Sequence, residues 1–158
     1  MRPDESHRMD IDRNAPAVAE GEIAIAAPPE TVWAVMSDLS GWPSWNRDVK
    51  SMSFDGPLEP GSPFRWKAGP SSLRSTLRTV DAPHEIAWTG ETMGIHAVHA
   101  FRFEPMDGGT LARSAESFRG LIPTVLTSYS RKILQRGIDG VLASLKTEAE
   151  RRAATADG

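Results

Sequence analysis

Hydrophobic positions change their spacing several times along the chain, and each change marks an element. From Gly21 to Ala26 they alternate, with Ile23 and Ile25 on one side and Glu22 and small alanines on the other; this predicts a half-buried strand. Pro28 and Pro29 then open a helix with Glu30 in its first turn, where the dipole favours a carboxylate. Its apolar face carries Val32, Trp33, Val35, Met36 and Leu39. The next stretch, Ser40-Gly41-Trp42-Pro43-Ser44-Trp45-Asn46, reads as a short helical turn or loop, because Pro43 stops a longer helix. From Val49 the period returns to two, with strands expected at Val49–Phe54, Pro63–Lys67, Leu73–Thr79 and Glu85–Glu91. Ile95–Glu104 and Thr110–Gly120 flank Asp107-Gly108, a strong signal for a type I′ hairpin. With those two residues as the loop, Met106 pairs with Gly109, Phe103 faces Ala112, Phe101 faces Ser114 and His99 faces Glu116. The same register opposes Arg102 and Arg113, an unfavourable pair that a bulge shifting the strands by one would relieve.

One long helical pattern follows, from Leu121 to about Arg152. Pro123 suits its first turn, and Leu126, Tyr129, Ile133, Gly137, Val141 and Leu145 recur at spacings of three and four as one face. Gly137 and Gly140 each cost roughly 1 kcal/mol relative to alanine inside a helix. They are expected either to admit close approach by a sheet or to leave space for something bound. At ~1.5 Å per residue the helix spans about 45 Å, enough to cross a small domain. The fold class is therefore α+β. A curved antiparallel sheet of about seven strands wraps around the C-terminal helix, with two short helices after the first strand.

Composition narrows the function classes. A net charge of −3 argues against nucleic acid as the main partner, since phosphate binding calls for a basic excess. The chain has no cysteine, so disulfide and thiolate chemistry are excluded. No stretch reaches the ~18 apolar residues of a membrane span, so stable membrane insertion is not expected. Residues 1–18 are charged and poor in large apolar groups; they read as a disordered leader without a signal peptide's apolar run, which makes the cytoplasm the default location. Residues 19–152 are expected to form the domain and residues 153–158 a tail, in a monomer or weak homodimer.

Three segments carry a family likeness: Pro28-Pro29-Glu30-Thr31-Val32-Trp33 after the opening strand, Trp42-Pro43-Ser44-Trp45-Asn46, and Glu116-Ser117-Phe118-Arg119-Gly120 before the long helix. With that element order the chain resembles the START-like or Bet v 1-like superfamily, also called SRPBCC or the polyketide cyclase/dehydrase family, over about Ala19 to Arg152. The resemblance implies a helix-grip fold enclosing a cavity for an apolar small molecule. It leaves three uses open: a polyketide-like cyclase or dehydrase, a non-enzymatic lipid or quinone carrier or sensor, and an interaction module of the chaperone-activator kind. No motif here matches the catalytic residues of the aromatase/cyclases position by position, so no catalytic role is carried over.

The residues themselves suggest where such a ligand would sit. Phe64, Trp66, Leu77, Trp88, Phe101, Tyr129 and Ile133 are expected to point between sheet and helix, either as core or as cavity wall. Small or polar inward positions, Ser114 and Gly137 among them, favour a hollow over a solid core. Trp42 and Trp45 either line the entrance or anchor the short helices. His99 and Glu116 are the sharpest pair, with three readings: proton transfer to a bound carbonyl compound, ligand contact, or a structural pair fixing the hairpin. His96 is three residues from His99, an odd spacing that sends the two to opposite strand faces, and no metal or cofactor is expected.

Overall fold

The computed structural model describes Met9 and residues 11–156. Its elements run β1 (Ala17–Ile25), α1 (Pro29–Ser37), a 3₁₀ turn at Leu39–Gly41, α2 (Trp42–Trp45), β2 (Val49–Ser53), β3 (Pro63–Ala68), β4 (Ser71–Asp81), β5 (Glu85–Thr92), β6 (Ile95–Met106), β7 (Gly109–Arg119), α3 (Leu121–Val125) and α4 (Thr127–Ala156). The seven strands form one antiparallel sheet in the order β1-β7-β6-β5-β4-β3-β2, so β1 closes against the last strand. Register shifts in β2–β3 and in β4–β5 accentuate its twist and curvature. The helix-grip expectation holds: one face of this sheet wraps α4.

The β6–β7 register is the one that Asp107-Gly108 imposes, with Met106 opposite Gly109 and His99 opposite Glu116. No bulge relieves the Arg102–Arg113 opposition. Carboxylates do so instead, Glu104 lying 3.6 Å from Arg102 and Glu22 lying 3.4 Å from Arg113.

The long helical pattern is broken once. Leu126 leaves helical geometry, and the chain divides into α3 and α4, so Pro123 belongs to a separate short helix. Thr124 and Thr127 donate their hydroxyls to the carbonyls of Gly120 and Pro123, side-chain bonds of the kind that bend a helix. At the other end α4 continues to Ala156, so most of the expected tail is helical. The buried face of α4 is Ser130, Leu134, Ile138, Val141, Leu142, Leu145 and Ala149. It coincides with the predicted stripe only from Val141 onward; Leu126, Tyr129 and Ile133 are exposed. Neither Gly137 nor Gly140 admits a close neighbour, because a Cβ on either meets open space. Close approach occurs instead at Gly21 of β1, where a Cβ lies 2.9 Å from Ile138 Cγ2.

The expected disordered leader is also corrected over its described part. Met9, Ile11 and Val18 pack on the outer face of the sheet against Ala87, Val98, Ala100 and Ala115. Arg119 donates to Asp12 at 2.7 Å, and the Asp12 amide donates to Ser117 Oγ. Two apolar side chains among many charges suffice here because the strands beneath present alanine and valine outward. The remainder of that leader, residues 1–8 and 10, lies outside the described residues.

Candidate functional site

The concave face of the sheet and α4 enclose a cavity of about 630 Å³ that opens between the β5–β6 turn and the α3–α4 junction. Its size falls within the usual range for small-molecule sites. Along β1 the helix is held closely, with Gln135 donating to the Glu20 carbonyl and Ile138 packed on Gly21, while the side bearing Tyr129, Ile133 and Gly137 faces away from that contact. These three residues therefore form cavity wall, and Gly137 leaves space where any other residue would intrude.

Four tryptophans, Trp42, Trp45, Trp66 and Trp88, build the opposite wall. Trp42 is buried, donates its indole N–H to the Met36 carbonyl, and has its ring 5.5 Å from Trp66 and 5.0 Å from Trp88. It is anchor and lining at once. Trp66 is held by a bond from Nε1 to Ser75 Oγ. Trp45 also lines the cavity, and its Nε1–H is buried with no acceptor among the described residues.

His99 and Glu116 meet on this wall. Their side chains are 11% and 18% exposed, and His99 Nδ1 lies 3.4 Å from Glu116 Oε2. On its other side His99 Nε2 is 2.8 Å from Ser114 Oγ, and the imidazole packs 5.0 Å from Trp88 and 4.7 Å from Phe101, centroid to centroid. Burial dominates both titrations. It pushes the Glu116 carboxyl up to about 8 and the His99 imidazole down to about 3. At neutral pH the proton therefore sits on Glu116 and the imidazole is uncharged. A buried carboxylic acid facing an apolar cavity can give a hydrogen bond, or a proton, to a bound oxygen.

The cavity brings together Trp42, Trp45, Trp66, Trp88, His99, Phe101, Glu116, Tyr129, Ile133 and Gly137. Three residues expected there lie elsewhere. Phe64 and Leu77 are in the solid core, and Ser114 sits behind His99, away from the cavity surface. Strand parity gives the face of a residue but not its depth, and the sheet is filled where α1 and α2 pack on it. Unforeseen lining comes from Met36, Met93, Phe118 and Ile122. Phe118 was findable, since it shares the inward parity of Glu116. His96 is half-exposed beside Glu91, on the opposite face from His99 as the spacing requires.

Residues 16–150 match a family model described as polyketide cyclase / dehydrase and lipid transport. Among solved structures, the chain is similar to the Zhui aromatase/cyclase from Streptomyces sp. R1128. Identity is 17% and the TM-score 0.78, over 89% of this chain and 98% of that one. A hypothetical protein, jhp0584 from Helicobacter pylori, matches at 17% identity and a TM-score of 0.76, over 90% and 95% of the two chains. A START superfamily protein from Mycobacterium smegmatis matches at 15% identity and a TM-score of 0.67, over 87% and 97%. At these identities the likeness is one of fold. Comparison with curated proteins gave no match.

Proposed function

The chain belongs to the polyketide cyclase/dehydrase and lipid-transport family, and from that premise we propose that its cavity binds an oxygen-bearing apolar molecule, polyketide-like, lipid or aromatic, on which Glu116 acts as the acid. The observation that carries this reading is a carboxyl that burial keeps protonated, paired with His99 on the wall of a mostly apolar, open cavity. A carbonyl or hydroxyl oxygen on the ligand would accept from the Glu116 carboxyl. The tryptophans and Tyr129 give ring faces to an aromatic or unsaturated body.

The chemistry suited to Glu116 is dehydration of a β-hydroxy carbonyl compound, the step that completes an aldol-type ring closure. Its proton passes to the leaving hydroxyl, which departs as water as the C–O bond breaks. The carboxylate left behind takes the proton from the neighbouring carbon, the C=C bond forms, and the acid is restored. An acid titrating near 8 is well matched to a neutral medium. His99, fixed by Ser114, holds the carboxyl in place and keeps its surroundings uncharged.

A second reading, a carrier or sensor for a lipid or quinone, is favoured by the satisfied contact between His99 and Ser114, which suits a structural role. Turnover of an aromatic precursor, measured beside binding by tryptophan quenching, separates the two. The Glu116→Gln variant is expected to keep binding within about three-fold while losing turnover by roughly 100-fold or more. Unchanged turnover in that variant removes Glu116 as the acid. A lipid co-purifying from the source organism, with no turnover, leaves the carrier.

A further inference from the structure

Apolar surface is concentrated at one end of this molecule. Met93, at the tip of the β5–β6 turn, is 81% exposed, and Leu121 and Val125 on α3 are 76% and 69% exposed. Leu126, Tyr129 and Ile133 continue the patch onto α4. Gly120, at φ 136°, lies against the Gly94 carbonyl where no side chain fits, so the turn and α3 are neighbours and the patch is continuous around the cavity mouth. Monomeric proteins seldom leave such a surface bare.

Cations flank it on both sides, in a chain whose net charge is −3. From Gly120 to Ile138 the sequence holds Arg131, Lys132 and Arg136 and no acidic residue. Lys132 and Arg136 are exposed, one turn from Tyr129 and Ile133 on the open flank of α4. Beyond Met93, a groove of about 840 Å³ on the outer face of β2–β5 carries Arg65, Lys67 and Arg74 against the single carboxylate of Glu91. Met93 belongs to the wall of both the groove and the cavity. Arg65 and Arg74 stand directly opposite each other. The opposed pair Arg102 and Arg113 is neutralised by Glu104 and Glu22, whereas here, among the described residues, only Glu91 approaches, at 3.8 Å from Arg74. An apolar tip between two under-neutralised basic flanks has the charge and polarity complement of an anionic lipid surface.

We infer that the cavity-mouth end docks on anionic bilayers, with the β5–β6 turn and α3 entering the headgroup–acyl boundary and the basic flanks lying on the lipid phosphates. The cavity then opens onto the layer from which an apolar ligand is drawn. That purpose rests on the binding reading above; the docking does not.

Sedimentation of the full chain with phosphatidylcholine vesicles, with and without phosphatidylglycerol, tests it. The chain is expected to sediment with the anionic vesicles at low salt and to release at high salt. Lys132→Glu with Arg136→Glu should weaken binding roughly five-fold or more per reversed charge. Val125→Asp should weaken it about ten-fold or more. Gel filtration and binding of the neutral probe N-phenyl-1-naphthylamine are measured alongside, and both variants should match the parent in each. Equal sedimentation with both vesicle types, or with neither, overturns the docking, and so does a dimer that Val125→Asp converts to monomer. Failure of the naphthylamine to bind the parent chain counts against the cavity alone.

Discussion

Glu116 and His99 are shifted in opposite directions by the same cause, and this gives the protein's stability a distinct dependence on pH. Between about 3 and the ordinary imidazole value, the unfolded chain takes up a proton on His99 that the folded chain refuses, so stability rises with pH. Between the ordinary carboxyl value and about 8, the folded chain keeps the Glu116 proton that the unfolded chain has lost, so stability falls with pH. The two cancel where the windows overlap, from about 4.5 to 6.5, leaving a plateau on the acid side of neutrality. Denaturant unfolding across this range should show a decline from about pH 6.5 to 8 in the parent and none from this cause in Glu116→Gln. A parent curve that is flat there removes the buried-acid assignment. The pair was legible in the sequence because Asp107-Gly108 fixes the register that joins its members. Ser114 was expected at the ligand and is instead His99's partner, a diagonal contact that direct cross-strand pairing does not reveal.

At the scale of the element, α4 carries two apolar stripes with different duties. One, from Ser130 to Ala149, packs, with Ser130, Leu134 and Val141 also reaching the cavity; the other, from Tyr129 through Ile133 to Gly137, faces the cavity from the exposed side. Hydrophobic spacing alone merges them, since a side chain lining a hollow has the same chemistry as one filling a core. Length and amphipathicity were thus readable, while the rotation of the buried face and the break at Leu126 were not. Gly137 separates the two duties experimentally. Because its Cβ position is open, Gly137→Ala should stabilise the protein by about 0.5–1 kcal/mol in denaturant unfolding. Gly137→Leu should occupy the cavity and lower probe affinity by roughly ten-fold, with the fold retained. Undiminished binding in the leucine variant places the ligand elsewhere.

For the whole molecule, the antiparallel pairing of successive strands and the single covering helix followed from the alternation of residues and the turn signals, whereas the pairing of β1 with β7 did not. The second, smaller apolar cluster did not follow. Its outer-face alanines carry no hydrophobic signal of their own, and its capping residues, Met9 and Ile11, are isolated among charges. Cover of this kind withdraws the outer-face patch around Ala87, Val98, Ala100 and Ala115 from a protein partner, which weakens the interaction-module reading. Ile11→Ser should cost about 1–3 kcal/mol in thermal or denaturant unfolding, a large effect for a position so near the start of the chain. No change there means that the cluster contributes no stability.

The clasp between Asp12 and Arg119 links distant parts of the protein. Arg119 is the residue before Gly120, from which the greasy collar around the opening departs. The stretch from Met9 to Asp12 is thereby joined to the start of that collar, through the Arg119 guanidinium and the Ser117 hydroxyl. Acid slackens the same tether once Asp12, held below the usual carboxylate range by Arg119, gains its proton. A purification handle placed at the front of this chain becomes an experimental variable for uptake, and the far end of α4 is the safer place to attach one.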